Sequence, residues 1–196
     1  MLTAAAVLAV GTSTSMALRS IGVSEINLRG RSRALTFRGT EERSFRVVCE
    51  VTGTLTMARA ITKVEGTRVG STTNLEIPVS SCRAEGGSVT EFTALRLPWS
   101  DVYVSFLGTL PEITGFKGRE TIAFLLGIRS IVGQISCLYE GTVFALVTVS
   151  RREISTGRII GEETGMPLIS GSPFCPRRGT VEGTGETSPS VRITLL

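Results

Sequence analysis

Four cysteines carry the most specific chemistry in the sequence: Cys49, Cys82, Cys137 and Cys175. None stands within knuckle distance of another, so a Cys-x2-Cys zinc site cannot be read from the spacing. An even number in an exported chain suggests disulfides. Each cysteine is followed at the fourth position by a glycine: Gly53, Gly86, Gly141 and Gly179. Cys82 lies 33 residues after Cys49, and Cys175 lies 38 after Cys137. This pattern divides the chain into two related units, about 43–98 and 131–187, and favours one bridge in each: Cys49–Cys82 and Cys137–Cys175. The pairing Cys49–Cys137 with Cys82–Cys175 respects the same pattern and stays open. Closing either long loop stabilises the fold by roughly 3–4 kcal/mol of chain entropy.

Histidine is absent, which removes Ser-His-Asp and Cys-His catalysis and an unshifted neutral-pH proton shuttle. Asp101 is the only aspartate, so neither an EF-hand loop nor a pair of aspartates can be assembled. Glutamates are the plentiful acids. Glu50 and Glu140 occupy equivalent positions in the two units, which argues for structure rather than a unique active site. The adjacent Glu162 and Glu163 point to opposite faces of any strand. A glutamate-dependent hydrolase is therefore a secondary reading, with no catalytic residue assigned and no cofactor or metal expected. The single tryptophan, Trp99, stands close to Asp101 and Tyr103. These three residues form the candidate ligand platform, able to stack on a sugar ring and bond its hydroxyls. A buried Trp99 plugging the core is the competing reading.

The elements that position these residues are strands. Phe45, Val47, Cys49, Val51, Gly53, Leu55 and Met57 alternate with more polar residues, a period of two. The same alternation runs from Ile131 to Val149, where the opposite face also carries Val132, Leu138, Phe144 and Leu146. Shorter strands are expected near 33–38, 72–79, 88–97, 101–107, 120–128, 158–163 and 189–195, with a short helix near 59–65. The expected fold is all-β: a β-sandwich or closed β-barrel built from the two units, as a single domain over 18–196. A membrane β-barrel is a further alternative, weakened by the lack of aromatic girdle spacing.

The chain has 196 residues, a net charge of +4 and 41% hydrophobic residues, enough for a substantial core. Its arginines are scattered and lack interleaved aromatics, so nucleic acid is not an expected partner. Residues 2–10 form a short apolar run followed by small polar residues, with Ser15 and Ala17 suited to signal-peptidase cleavage. Residues 1–17 therefore read as a signal peptide, too short to span a bilayer. Leu110-Pro-Glu-Ile-Thr-Gly115 approximates a wall-sorting signal but has one residue too many and lacks the apolar segment and basic tail.

The segments Val-Val-Cys-Glu-Val-Thr-Gly-Thr-Leu (47–55), Leu-Pro-Trp (97–99), Phe-Leu-Gly-Thr-Leu-Pro (106–111) and Ser-Cys-Leu-Tyr-Glu-Gly (136–141) carry a resemblance. So do Ile-Thr-Lys-Val (61–64) and Val-Gly (69–70). With the export signal, the chain resembles a family of uncharacterised, secreted, Cys-x3-Gly-containing β-rich proteins of actinobacterial type. The resemblance implies export and a β fold and assigns no activity. The resulting expectation is a non-catalytic protein of the cell surface or medium, structural or ligand-binding, with an extracellular glycan as one partner class.

Overall fold

The computed structural model describes residues 20–24, 27–40, 45–109, 112–151, 153–161 and 165–195. The expected signal peptide and the Glu162–Glu163 pair lie outside them. Thirteen strands account for nearly all of the described chain. Five are long: β2 (Asn27–Gly39), β3 (Arg46–Met57), β9 (Glu112–Ser130), β10 (Gly133–Ser150) and β13 (Arg178–Leu195). Between them come β1 (Ser20–Val23), β4 (Ala60–Thr62), β5 (Arg68–Glu76), β6 (Arg83–Ala84), β7 (Gly87–Leu95), β8 (Trp99–Thr109), β11 (Glu153–Gly161) and β12 (Met166–Gly171). Among the described residues the only helical turn is the 3-10 turn Val79–Ser81. The all-β class is as expected.

All pairings are antiparallel, and the long strands change partners along their length. In β3, Val47–Val48 pair with β6 whereas Thr52–Met57 pair with β5. In β9, the segment from Ala123 onward pairs with β7, and the earlier segment pairs with β8. In β10, Cys137–Tyr139 pair with β12, and Val143–Ser150 pair with β11. The pairings β9–β10, β2–β3, β2–β13 and β11–β13 complete the circuit. The result is one ring-like sheet rather than two separate sheets face to face, and not a regular barrel.

Inward positions follow the period of two. On β3 they are Val47, Cys49 and Val51, and on β9 Phe116, Ile122, Phe124, Leu126 and Ile128, all buried. The interior holds two apolar clusters. One gathers Phe37, Val47, Phe92, Phe124, Leu126, Tyr139 and Met166 around both disulfides. The other gathers Ile21, Leu28, Ile61, Val69, Tyr103, Phe116, Ile154, Val191 and Ile193. The disulfides are Cys49–Cys82 and Cys137–Cys175, one bridge in each expected unit.

Two local expectations fail. Residues 60–62 are strand β4, not helix: they pair with β1, and Ile61 is fully enclosed in the second cluster. The strand expected from Ile131 begins only at Gly133, because Ile131 and Val132 form the exposed tip of the β9–β10 hairpin. The second face of β10 is only half-covered at Leu138, Phe144 and Leu146, with the Lys117 ammonium 3.6 Å above the Phe144 ring.

A carboxyl pair in a glycine-walled cavity

Between the two clusters the interior is hollow. A cavity of about 200 Å³ is lined by members of both, including Leu35, Val51 and Trp99 from one and Leu28, Leu55 and Phe116 from the other. Its cause is legible in the wall. At this level the inward row contains Gly30 on β2, Gly53 on β3, Gly183 and Gly185 on β13 and Gly157 on β11. Gly30 sits opposite Gly53, and Gly157 opposite Gly185, in the ladders. Glycine has no side chain to project inward: Gly157 and Gly185 leave room, whereas Gly30 and Gly53 admit the close approach of the Leu55 side chain and the Asn74 backbone.

The polar feature of the cavity is a pair of carboxyls. Asp101 on β8 and Glu120 on β9 are direct register partners. Residues opposed in this way have Cβ atoms about 4.5–5.5 Å apart. Glu120 is 6% exposed, although it stands in an otherwise apolar inward row with Phe116, Ile122 and Phe124. The Thr72 hydroxyl donates a hydrogen bond of 2.9 Å to Glu120 Oε1. Asp101 Oδ1 is enclosed and has no hydrogen-bond partner. Among the described residues neither carboxyl has an ion-pair partner; the ion pairs lie elsewhere, such as Arg31–Glu50 and Arg96–Glu140.

Burial without a cation disfavours the ionised forms. Burial pushes the Asp101 carboxyl up to about 8, and the neighbouring Glu120 charge adds to the effect. Burial pushes Glu120 up to about 7, against hydrogen bonds from the Thr72 side chain and backbone that pull it down. Near neutral pH the pair therefore retains protons that exposed carboxyls would have released. A proton-holding carboxyl pair does form, though not from two aspartates; the exclusion drawn from a single aspartate did not reach a mixed Asp–Glu pair.

The cavity wall is interrupted by bulges, two of which fall together on β2. The β2–β13 ladder loses register between Glu182 and Gly185, and the β2–β3 ladder between Ser32 and Leu35. An outer groove at these bulges shares Arg31, Arg158, Gly183 and Glu186 with the cavity lining. Bulges break the ladder locally and re-aim side chains, and here they lie where the cavity and the outer groove share lining.

The structure brings Trp99 and Asp101 of the candidate platform to this cavity, while Tyr103 belongs to the second cluster. Trp99 is 5% and Tyr103 3% exposed, so neither offers a ring face to a surface sugar. Trp99 packs edge-on against Phe124 at 5.1 Å between centroids and donates its Nε1–H to the Leu95 carbonyl at 2.7 Å. That satisfied indole is the geometry of a core residue that also walls a cavity. Glu50 and Glu140 stand on β3 and β10, which are not paired, and each is bound to its own arginine.

Glu120, Thr72 and the glycine belt were not singled out by sequence. The available signal was parity: Glu120 falls on the same side of its strand as Ile122 and Phe124, a placement that needs a reason in an apolar row. Among the described residues no group of three or more Cys, Asp or Glu is placed to hold a metal ion, and no helix is long and apolar enough to cross a membrane. No family model matches this chain, and no curated protein or solved structure was found to be similar to it.

Proposed function

We propose that the chain is an exported, non-catalytic binding protein that holds a small, largely apolar ligand inside its ring-like sheet. The observation that carries the reading is the cavity of about 200 Å³ between the two clusters. Protein interiors are close-packed, and a void of this size forfeits the dispersion contacts of its walls. An apolar cavity of about 150 Å³ is already large enough to take up benzene. Here inward glycines line the space, with room left at Gly157 and Gly185, and a bulged seam lies beside it. Export is supported by the two disulfides, which persist in oxidising compartments, and by the expected leader at 1–17. The outward row of β2 carries Arg29, Arg31, Arg33 and Arg38, all exposed, which is the reverse of a lipid-facing band.

Trp99 makes the reading testable, because the only tryptophan lines the cavity. Titration with toluene should shift Trp99 emission and raise the melting temperature of the wild type. A Gly185→Val variant, whose side chain enters the cavity, should show neither response. Equal responses in both proteins would contradict the reading.

The opposed carboxyls favour one second reading, a hydrolase using Asp101 and Glu120 as acid and base. Ligand pockets for larger substrates run to about 300–1,000 Å³, more than this cavity provides. Release of nitrophenol from aryl glycosides by the wild type, lost in Glu120→Gln, would favour this second reading.

A further inference from the structure

The geometry points to a primary amine with a short apolar tail as the cavity's occupant, its ammonium set between Asp101 and Glu120. This rests on the cavity being a ligand site, as proposed above, and adds the chemistry of the head group. The argument is one of counting donors and acceptors. The carboxyl pair is the enclosed ionisable chemistry of the cavity; Arg31, Arg158 and Glu186 also line it but are exposed. Asp101 Oδ1 is enclosed and lacks a donor. Glu120 has Thr72 as its hydrogen-bonding neighbour and no cation. Leaving such groups unmatched is costly, and among the described residues neither cavity-lining arginine, Arg31 or Arg158, forms an ion pair with them.

An alkylammonium group has three N–H donors and no acceptor. One can meet Asp101, one Glu120, and the third the Thr72 hydroxyl, which donates to Glu120 and retains its lone pairs. Thr72 is also the register partner of Trp99, which places the indole beside the head group, where a ring can stabilise a cation. A carboxylate ligand would add a third acidic group to a pair whose ionisation burial already disfavours. An alcohol would supply a single donor for two carboxyls. A divalent metal is a poor match, since calcium wants six to eight oxygens and this site offers two carboxyls and one hydroxyl. The tail then lies along Trp99, Phe116 and Leu55, and the cavity volume of about 200 Å³ limits it to the size of a phenylethyl or short alkyl group.

The test uses the full chain with both disulfides intact and three probes of nearly equal size: 2-phenylethylamine, 2-phenylethanol and phenylacetate. Binding is followed by isothermal titration calorimetry and by Trp99 emission. The amine should bind at least tenfold more tightly than the alcohol, and phenylacetate should not bind. Asp101→Asn should weaken the amine at least tenfold while leaving the alcohol within about twofold. Should that variant fail to fold, the ranking of the three probes on the wild type decides alone. Alcohol and amine binding equally would overturn the amine assignment while leaving the cavity a ligand site. Binding of none of the three would overturn both.

Discussion

Gly118 and Asp101 share one space. A Cβ built on Gly118 of β9 would collide with the Asp101 carboxyl, so the missing side chain of one residue is the seat of the other. Gly118 precedes Glu120 on the same inward row, and Asp101 is the register partner of Glu120. The carboxyl pair therefore depends on a glycine that sequence alone would assign to a turn.

Replacing Gly118 by alanine should be costly. Overfilling a packed site typically costs about 1–3 kcal/mol, and here the displaced group is a buried carboxyl. Gly118→Ala should lower the urea midpoint by that amount. Gly118→Ala combined with Asp101→Ala should recover much of the loss, since the collision disappears. A single variant as stable as wild type would contradict this seat.

Stability should fall as pH rises. Both carboxyls titrate higher in the folded chain than their ordinary values of 3.8 and 4.5, up to about 8 for Asp101 and about 7 for Glu120. The folded state thus keeps protons that the unfolded chain has already released, and stability declines with pH across that window. The contribution is complete below about pH 4 and lost as pH passes through about 7 to 8. Melting temperature should therefore decrease from pH 5 to pH 9, and Asp101→Asn should flatten the decline. A wild-type profile that rises over this range, or a variant with the same slope, would contradict the burial of the pair.

The glycine belt should divide into positions that tolerate a side chain and positions that do not. A Cβ at Gly157 meets its nearest atom only at 3.9 Å, whereas one at Gly53 would lie 2.8 Å from the Asn74 carbonyl oxygen. Gly157→Ala should be neutral or stabilising by roughly 0.5–1 kcal/mol, through reduced freedom of the unfolded chain. Gly53→Ala should destabilise by about 1–3 kcal/mol. Chemical denaturation of the two variants checks the ordering, and the reverse ordering would contradict the wall as described.

The bridges should be fixed in pairing. Native protein treated with an alkylating reagent should show no modified cysteine by mass spectrometry, and peptide mapping should return only Cys49–Cys82 and Cys137–Cys175. Removing either bridge as a double alanine variant should cost about 2–5 kcal/mol. A Cys49–Cys137 peptide would contradict the placement of Cys82 beside β3 and of Cys175 beside β10.

Much of this was legible in sequence because apolar alternation on a strand maps directly onto a buried face. Val47-Cys49-Val51 declares β3 without reference to any other segment, and the cysteine spacing pointed to the bridges found. The ring closure was not legible. It arises because β3, β9 and β10 are long enough to pair with one strand at one end and another at the far end, and partner choice is a tertiary property. Residues 112–119, interrupted by Gly115, Lys117 and Gly118, did not read as strand, although the strand runs from Glu112. That stretch and the residue after it build the carboxyl pair: Gly118 gives Asp101 its seat, and Glu120 supplies the second carboxyl. Trp99 was recognised as the notable aromatic, and its core placement follows from a nearby Leu95 carbonyl that satisfies the indole.

The most direct test of the account is a crystal structure of the protein under xenon pressure. The account predicts a xenon peak inside the ring, between the belt formed by Gly30, Gly53, Gly157 and Gly185 and the Asp101–Glu120 pair. Side chains collapsed across that space, with no internal peak there, would contradict it.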